Sequence, residues 1–137
     1  MTCRWCQASS APAGAPRFLE FFEREIGIAP VWICPIVGTE RAGDFPLYPL
    51  QPGRCYVNFG FWDVLRRRQR FAHGHFNRMI ETTVMELGGI KSLYSDSTFT
   101  PETFGNIYGG EAYRRLKIKY DAGGVFPQLY DKCVRRR

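Results

Sequence analysis

Residues 85–126, MELGGIKSLYSDSTFTPETFGNIYGGEAYRRLKIKYDAGGVF, constrain the fold more than any other stretch of the chain. The stretch opens by ending a helix. Upstream of it Phe76, Met79, Ile80, Thr83, Val84 and Leu87 recur at the 3.6-residue period from about residue 72. Gly88-Gly89 then supplies a left-handed stop. Residues 90–96 read as a strand. Thr100 caps a helix that has Pro101 in its first turn and Glu102-Thr103 behind it. A further helix is expected over residues 110–120, then a turn at Asp121-Ala122-Gly123-Gly124 and a short helix or extended tail over 125–134. Glycine and proline cut the chain this often, so the fold must be a layering of short elements.

Upstream, residues 1–16 end in SSAPAGAP and read as a flexible lead-in. Phe18, Leu19, Phe22 and Ile26 fall at helical spacing, and Gly27 is a natural stop. Residues 31–36 read as a strand that Pro35 confines to an edge or an end. Gly38, Gly43, Pro46, Pro49, Pro52 and Gly53 make residues 37–54 a long irregular loop. The clearest strand is residues 55–62, where alternation sets Val57, Phe59 and Phe61 on one face and Tyr56, Asn58, Gly60 and Trp62 on the other. The first face is the core side. The order β–β–α–β–α–α implies an α+β fold, a small antiparallel sheet with helices on one face. Residues 17–137 then form a partial domain, and the Tyr56–Trp62 face would stay uncovered unless a further domain packs on it.

Charge and cysteine content narrow the function classes. The net charge of +6 comes largely from Arg66, Arg67, Arg68 and Arg70 and from Arg135, Arg136 and Arg137, with no basic face interleaved with aromatics. These clusters read as a solvated loop and a tail rather than a nucleic-acid surface. Binding of nucleic acid through the arginine cluster would show a steep salt dependence. The five cysteines lack framework spacing, and Cys3-x-x-Cys6 has no second pair to complete a zinc site. Reduced thiols and a cytoplasmic compartment follow. His73 and His75 lack a convincing third ligand, so no metal is expected. No apolar run approaches the ~20 residues of a membrane span, which leaves any membrane association to sequence upstream.

The helix–Gly-Gly join, Leu93-Tyr94-Ser95-Asp96, Glu102-Thr103-Phe104, and Lys119-Tyr120-Asp121 with Val125-Phe126 occur in an order and at spacings that resemble FAD-dependent oxidoreductases of the vanillyl-alcohol-oxidase type. The Δ24-sterol reductase branch looks closer than the decaprenylphosphoryl-ribose oxidases. Its similarity extends upstream through FLEFFEREIGIAPVWICPI and CYVNFGFW. The resemblance implies the C-terminal cap part of such an enzyme, with the N-terminal FAD-binding domain absent from this chain. Neither Gly109-Gly110 nor Gly123-Gly124 has the preceding strand and spacing of a pyrophosphate loop. The implied cofactor of the complete enzyme is FAD, with NADPH as electron donor. The implied substrate is a hydrophobic small molecule such as a sterol, reduced at a side-chain double bond.

The same resemblance sets Tyr94-Ser95-Asp96 against the flavin, with Tyr94 as proton donor, Asp96 as orienting carboxylate and Ser95 on the cofactor. The alternative is a core tyrosine and a turn aspartate. The oxidase relatives carry a lysine where Ser95 stands, so the residue fits the reductase branch better. Lys119 and Tyr120 belong to the family's flavin-closing motif, with Ala122 replacing its proline; an exposed helix-end cation is the other reading of Lys119. Tyr56 and Asn58 are candidates to line the substrate pocket, or else face solvent. Glu81 and Glu86 read as a solvated helix face. A binding or subunit module that pairs with a separate FAD-domain chain is the rival from a different class.

Overall fold

A computed structural model describes residues 2–10, 12–41, 45–64 and 68–136. Arg66, Arg67 and Arg137 of the basic clusters and Gly43 of the long loop lie outside the described residues. The chain forms two compact units. The first comprises Met1–Val37 and Cys55–Thr98, the second Gly38–Arg54 and Phe99–Arg137.

The first unit is a four-stranded sheet with helices against it. Strand β1 is Thr2–Ser10, β2 is Trp32–Val37, β3 is Cys55–Val64 and β4 is Ile90–Lys91. Their order is β2-β3-β1-β4, and every neighbouring pair is antiparallel. The α+β class with a small antiparallel sheet is therefore what the chain adopts. Pro35 lies opposite Val57 on edge strand β2, where its missing N–H costs no ladder bond on the open side.

Two expectations are corrected. Residues 1–16 are not simply a lead-in: β1 pairs with β3 on one side and β4 on the other. With β2 on one edge of β3, the amides and carbonyls of its second edge need a partner, and β1 supplies them. The Cys3-x-x-Cys6 segment coincides with a register shift in that pairing. The strand expected over 90–96 stops at Lys91, because the chain turns back at Leu93-Tyr94.

Helix α1 (Ala15–Phe21) continues through a π-type turn, Phe22–Ile26, into Gly27, whose φ of 64° ends it. Helix α2 is His75–Glu86. Phe18, Phe22, Ile26, Phe76, Ile80 and Val84 from this layer meet Phe59 and Phe61 of β3 in one buried cluster. The ring centroids of Phe18 and Phe59 are 4.8 Å apart, and those of Phe22 and Phe61 4.3 Å. The face assigned to the core by alternation is thus the one the helices cover.

In the second unit the long loop is closed at its base by Gly38 N–H to the Arg54 carbonyl (3.0 Å) and Gly53 N–H to the Gly38 carbonyl (2.7 Å). A Cβ on Gly38 would stand 2.1 Å from the Gln51 carbonyl oxygen, so only glycine fits there. Helix α3 (Pro101–Ile107) starts as its sequence dictates, with Thr100 Oγ1 accepting from Thr103 N–H at 3.2 Å. Helix α4 is Gly110–Tyr120, and Asp131–Arg135 forms a last π-type turn. Tyr130 stands edge-on to Phe104 at 5.4 Å and donates its hydroxyl to the Phe99 carbonyl (3.2 Å).

The two faces of β3 make opposite demands on stability. Phe59→Ala is expected to cost about 3–5 kcal/mol in urea denaturation. Trp62→Ala, at a side chain 65% exposed, is expected to cost about 0.5 kcal/mol or less.

Candidate functional site

The turn after β4 is held by a buried ion pair. Lys91 is 1% exposed and Glu81, on α2, is 2% exposed. Lys91 Nζ lies 3.5 Å from Glu81 Oε1, 3.1 Å from the Asp96 carbonyl and 3.4 Å from the Ser95 carbonyl. The Glu81 carboxylate accepts the Thr98 backbone N–H at 3.0 and 3.1 Å and also the Thr98 hydroxyl. One helical turn earlier, Asn77 Nδ2 donates to the Asp96 carbonyl at 3.0 Å. In the stretch 95–98, which no described strand pairs, the Ser95 and Asp96 carbonyls and the Thr98 amide are thus met by three side chains.

Glu81 corrects the sequence reading. It is buried, whereas Glu86 on the same helix is exposed. Asn77 and Glu81 are four residues apart and form a polar stripe beside the apolar one of Phe76, Ile80 and Val84. That stripe was the available signal.

The expected site residues are placed as follows. Tyr94 sits in the turn itself, 66% exposed. Ser95 is buried and Asp96 half-buried, and both offer backbone carbonyls to Lys91. Tyr56 and Asn58 occupy the β3 face opposite the core, as alternation requires, but both are buried. Among the described residues Asn58 Oδ1 has no hydrogen-bond partner, and a buried acceptor left so costs about 1–3 kcal/mol.

Farther along that face the sheet is open. A groove of about 920 Å³ runs past Pro30, Val31, Trp32, Gly60, Trp62 and Asp63. Trp32 lies against Gly60, where a Cβ would come within 3.0 Å of the indole. The groove is at the β2–β3 side of the sheet, and the Tyr94 turn follows edge strand β4 on the other side. Three strand spacings separate those edges, roughly 14 Å.

Lys119 and Tyr120 belong to the second unit. Both are exposed, Tyr120 at 72%, and Lys119 Nζ stands 4.9 Å from the Tyr120 ring centroid. Lys117, not Lys119, closes the turn. Its Nζ donates to the Asp121 carboxylate and, at 2.6 Å, to the Phe126 carbonyl. Asp121 in turn accepts the backbone N–H groups of Val125 (2.8 Å) and Phe126 (3.1 Å). The Lys117 hydrogen bond above all, and then these amides, hold the Asp121 carboxyl below its ordinary value of 3.8, against the opposing effect of burial. The i, i+4 spacing of Lys117 and Asp121 was legible in the sequence.

His73 is exposed, and His75 stacks on Phe71 at 4.7 Å. Among the described residues no cluster of three or more His, Cys, Asp or Glu could hold a metal ion, and no helix is long and apolar enough to cross a membrane.

Curated proteins similar to this chain are Δ24-sterol reductases. The human protein is 27% identical over 118 residues, covering 85% of this chain and 22% of the human one. The Arabidopsis thaliana protein is 25% identical over 135 residues, covering 87% and 24%. The Caenorhabditis elegans homolog is 24% identical over 117 residues, covering 85% and 22%. The chain therefore spans about a fifth to a quarter of the length of these relatives. No family model and no solved structure matches it.

Two predictions follow from the geometry. Glu81→Ala leaves Lys91 buried without its carboxylate and should cost about 3–5 kcal/mol in chemical denaturation. Glu86→Ala on the same helix should change stability by about 0.5 kcal/mol or less. Because the Asp121 carboxyl titrates lower folded than unfolded, its stabilising effect is complete above the ordinary carboxylate value and is lost as pH falls through the depressed one. Protection of the Val125 and Phe126 amides, relative to their intrinsic exchange rates, should therefore fall on acidification through that range, and Asp121→Asn should remove this pH dependence.

Proposed function

We propose that this chain is the C-terminal cap portion of an FAD-dependent oxidoreductase of the Δ24-sterol reductase kind. The observation that carries the reading is the similarity to Δ24-sterol reductases across 85% of the chain, at about a fifth of their length. The surface supports it. Trp32 and Trp62 are exposed in the first unit, and Tyr120, Val125 and Phe126 in the second. In each unit by itself, such side chains suit contact with a further domain.

The residues fit the ring end of the cofactor and not its phosphates. An apolar groove with two indoles suits a flat ring system or a sterol. No glycine-rich loop opening a helix is present to cradle a pyrophosphate. When bound, FAD supplies the hydride chemistry of such an enzyme, with NADPH as the reductant. The chain contributes placement and a proton. The exposed Tyr94 phenol is the group able to give a proton to a substrate carbon, and its backbone is fixed by its neighbours' bonds to Lys91. Asp96 and Ser95 are proposed to border the cofactor. Trp62 and Trp32 extend the substrate wall beyond Tyr56 and Asn58.

A module pairing with a separate FAD-domain chain is the second reading, and the same exposed aromatic side chains favour it. In both readings the phosphate-binding part lies elsewhere. The 137-residue protein alone is thus expected to bind FAD weakly and to oxidise no NADPH in the presence of a Δ24-unsaturated sterol. A tight, stoichiometric yellow complex, or sterol-dependent NADPH oxidation by this chain alone, would contradict the proposal.

A further inference from the structure

We infer that Lys91 and Glu81 are positioning residues for Tyr94. The inference rests on the reading of the Tyr94 turn as the reactive edge of the cap. The geometry underneath it is independent of that reading. Strand β4 ends at Lys91, and from there to Thr98 the chain has no ladder partner. A segment of that kind is held only by what its carbonyls and amides meet. The Ser95 and Asp96 carbonyls meet Lys91 Nζ, and the Thr98 N–H meets Glu81.

The pair is more than a stabilising contact. Buried ion pairs are often replaceable by apolar residues of similar size at little cost in stability, because desolvation cancels most of the attraction. An apolar pair in this place would pack, but it would take the Lys91 ammonium from the Ser95 and Asp96 carbonyls, of which Asp96 keeps Asn77, and the carboxylate from the Thr98 amide. The distinctive effect of Lys91 and Glu81 is therefore on the backbone of residues 95–98, and through it on the neighbouring Tyr94. That side chain is 66% exposed, so the course of its backbone bears directly on where the phenol stands. A 1 Å shift of a reacting group is enough to lose about a hundredfold in rate.

The experiment uses the 137-residue chain labelled with 3-fluorotyrosine, the Tyr94 signal being assigned with Tyr94→Phe. The double variant Lys91→Met with Glu81→Leu removes the charged anchors and keeps the volume. Thr98→Ala removes only the hydroxyl bond to Glu81 and serves if the double variant does not fold. The Thr98 amide is expected to exchange roughly tenfold faster or more in the double variant, the loss of charge-assisted bonds to a backbone group. The β3 amides of Phe59 and Phe61 should keep their protection, and the Tyr94 fluorine line should shift toward that of a free tyrosine. In Thr98→Ala the same line should move in the same direction by less.

The inference is overturned if either the Thr98 amide or the Tyr94 line is unchanged, or if Thr98 loses protection only in step with Phe59 and Phe61, which would make the pair a purely global stabiliser. Riboflavin added to the unsubstituted chain tests the underlying reading separately. If it shifts amide resonances of the chain, and so binds, yet leaves the Tyr94 line unmoved while the variants behave as expected, the flavin-facing assignment fails and the positioning role stands.

Discussion

A lysine ammonium can be buried only where oxygens take over from water, and Lys91 is buried because the chain wraps three around it. One is a Glu81 carboxylate oxygen and two are carbonyls from the next turn of chain. The requirement works in both directions. The ammonium needs the turn, and the turn, having left the sheet after two residues of β4, needs the ammonium. Helix α2 joins the arrangement through Asn77 and Glu81, so one face of that helix serves the hydrophobic core and its neighbour serves a polar anchor.

The consequence is a division of labour in the first unit. Phe59 and Phe61, with the rings of α1 and the residues beyond it, provide the burial that holds sheet to helices. The polar cluster adds little to that total but decides where residues 95–98 lie. On the opposite face of the sheet Tyr56 and Asn58 are buried, Trp32 lies against Gly60 and Trp62 is in the open. In the second unit Asp121 plays a comparable part. It fixes the last turn and leaves Val125 and Phe126 at the surface.

What could be read from the sequence was whatever local periodicity controls. The faces of β3, the apolar stripe of α2, the Thr100 cap and the Gly27 stop all follow from spacing alone. Strand β1 was hidden because residues 2–10, TCRWCQASS, show no apolar alternation, and it is the vacant edge of β3 that recruits them. The end of β4 was hidden for a related reason. IKSLYSD looks extended until Lys91 is seen to bond backward onto its own turn. Glu81 looked solvated because its partner is ten residues away on another element. Of the candidate site, Tyr94 and its neighbours are proposed from family resemblance alone, whereas Lys91, Glu81 and Lys117 act through contacts that spacing only hints at.

The claim that one buried pair organises this region is tested most directly by a double-mutant cycle on Lys91→Met and Glu81→Gln, with unfolding free energies measured for both single variants and the double. Residues in one buried network couple, and the account predicts an interaction energy of roughly 1–3 kcal/mol. Additivity of the two substitutions, to within about 0.3–0.5 kcal/mol, would contradict it.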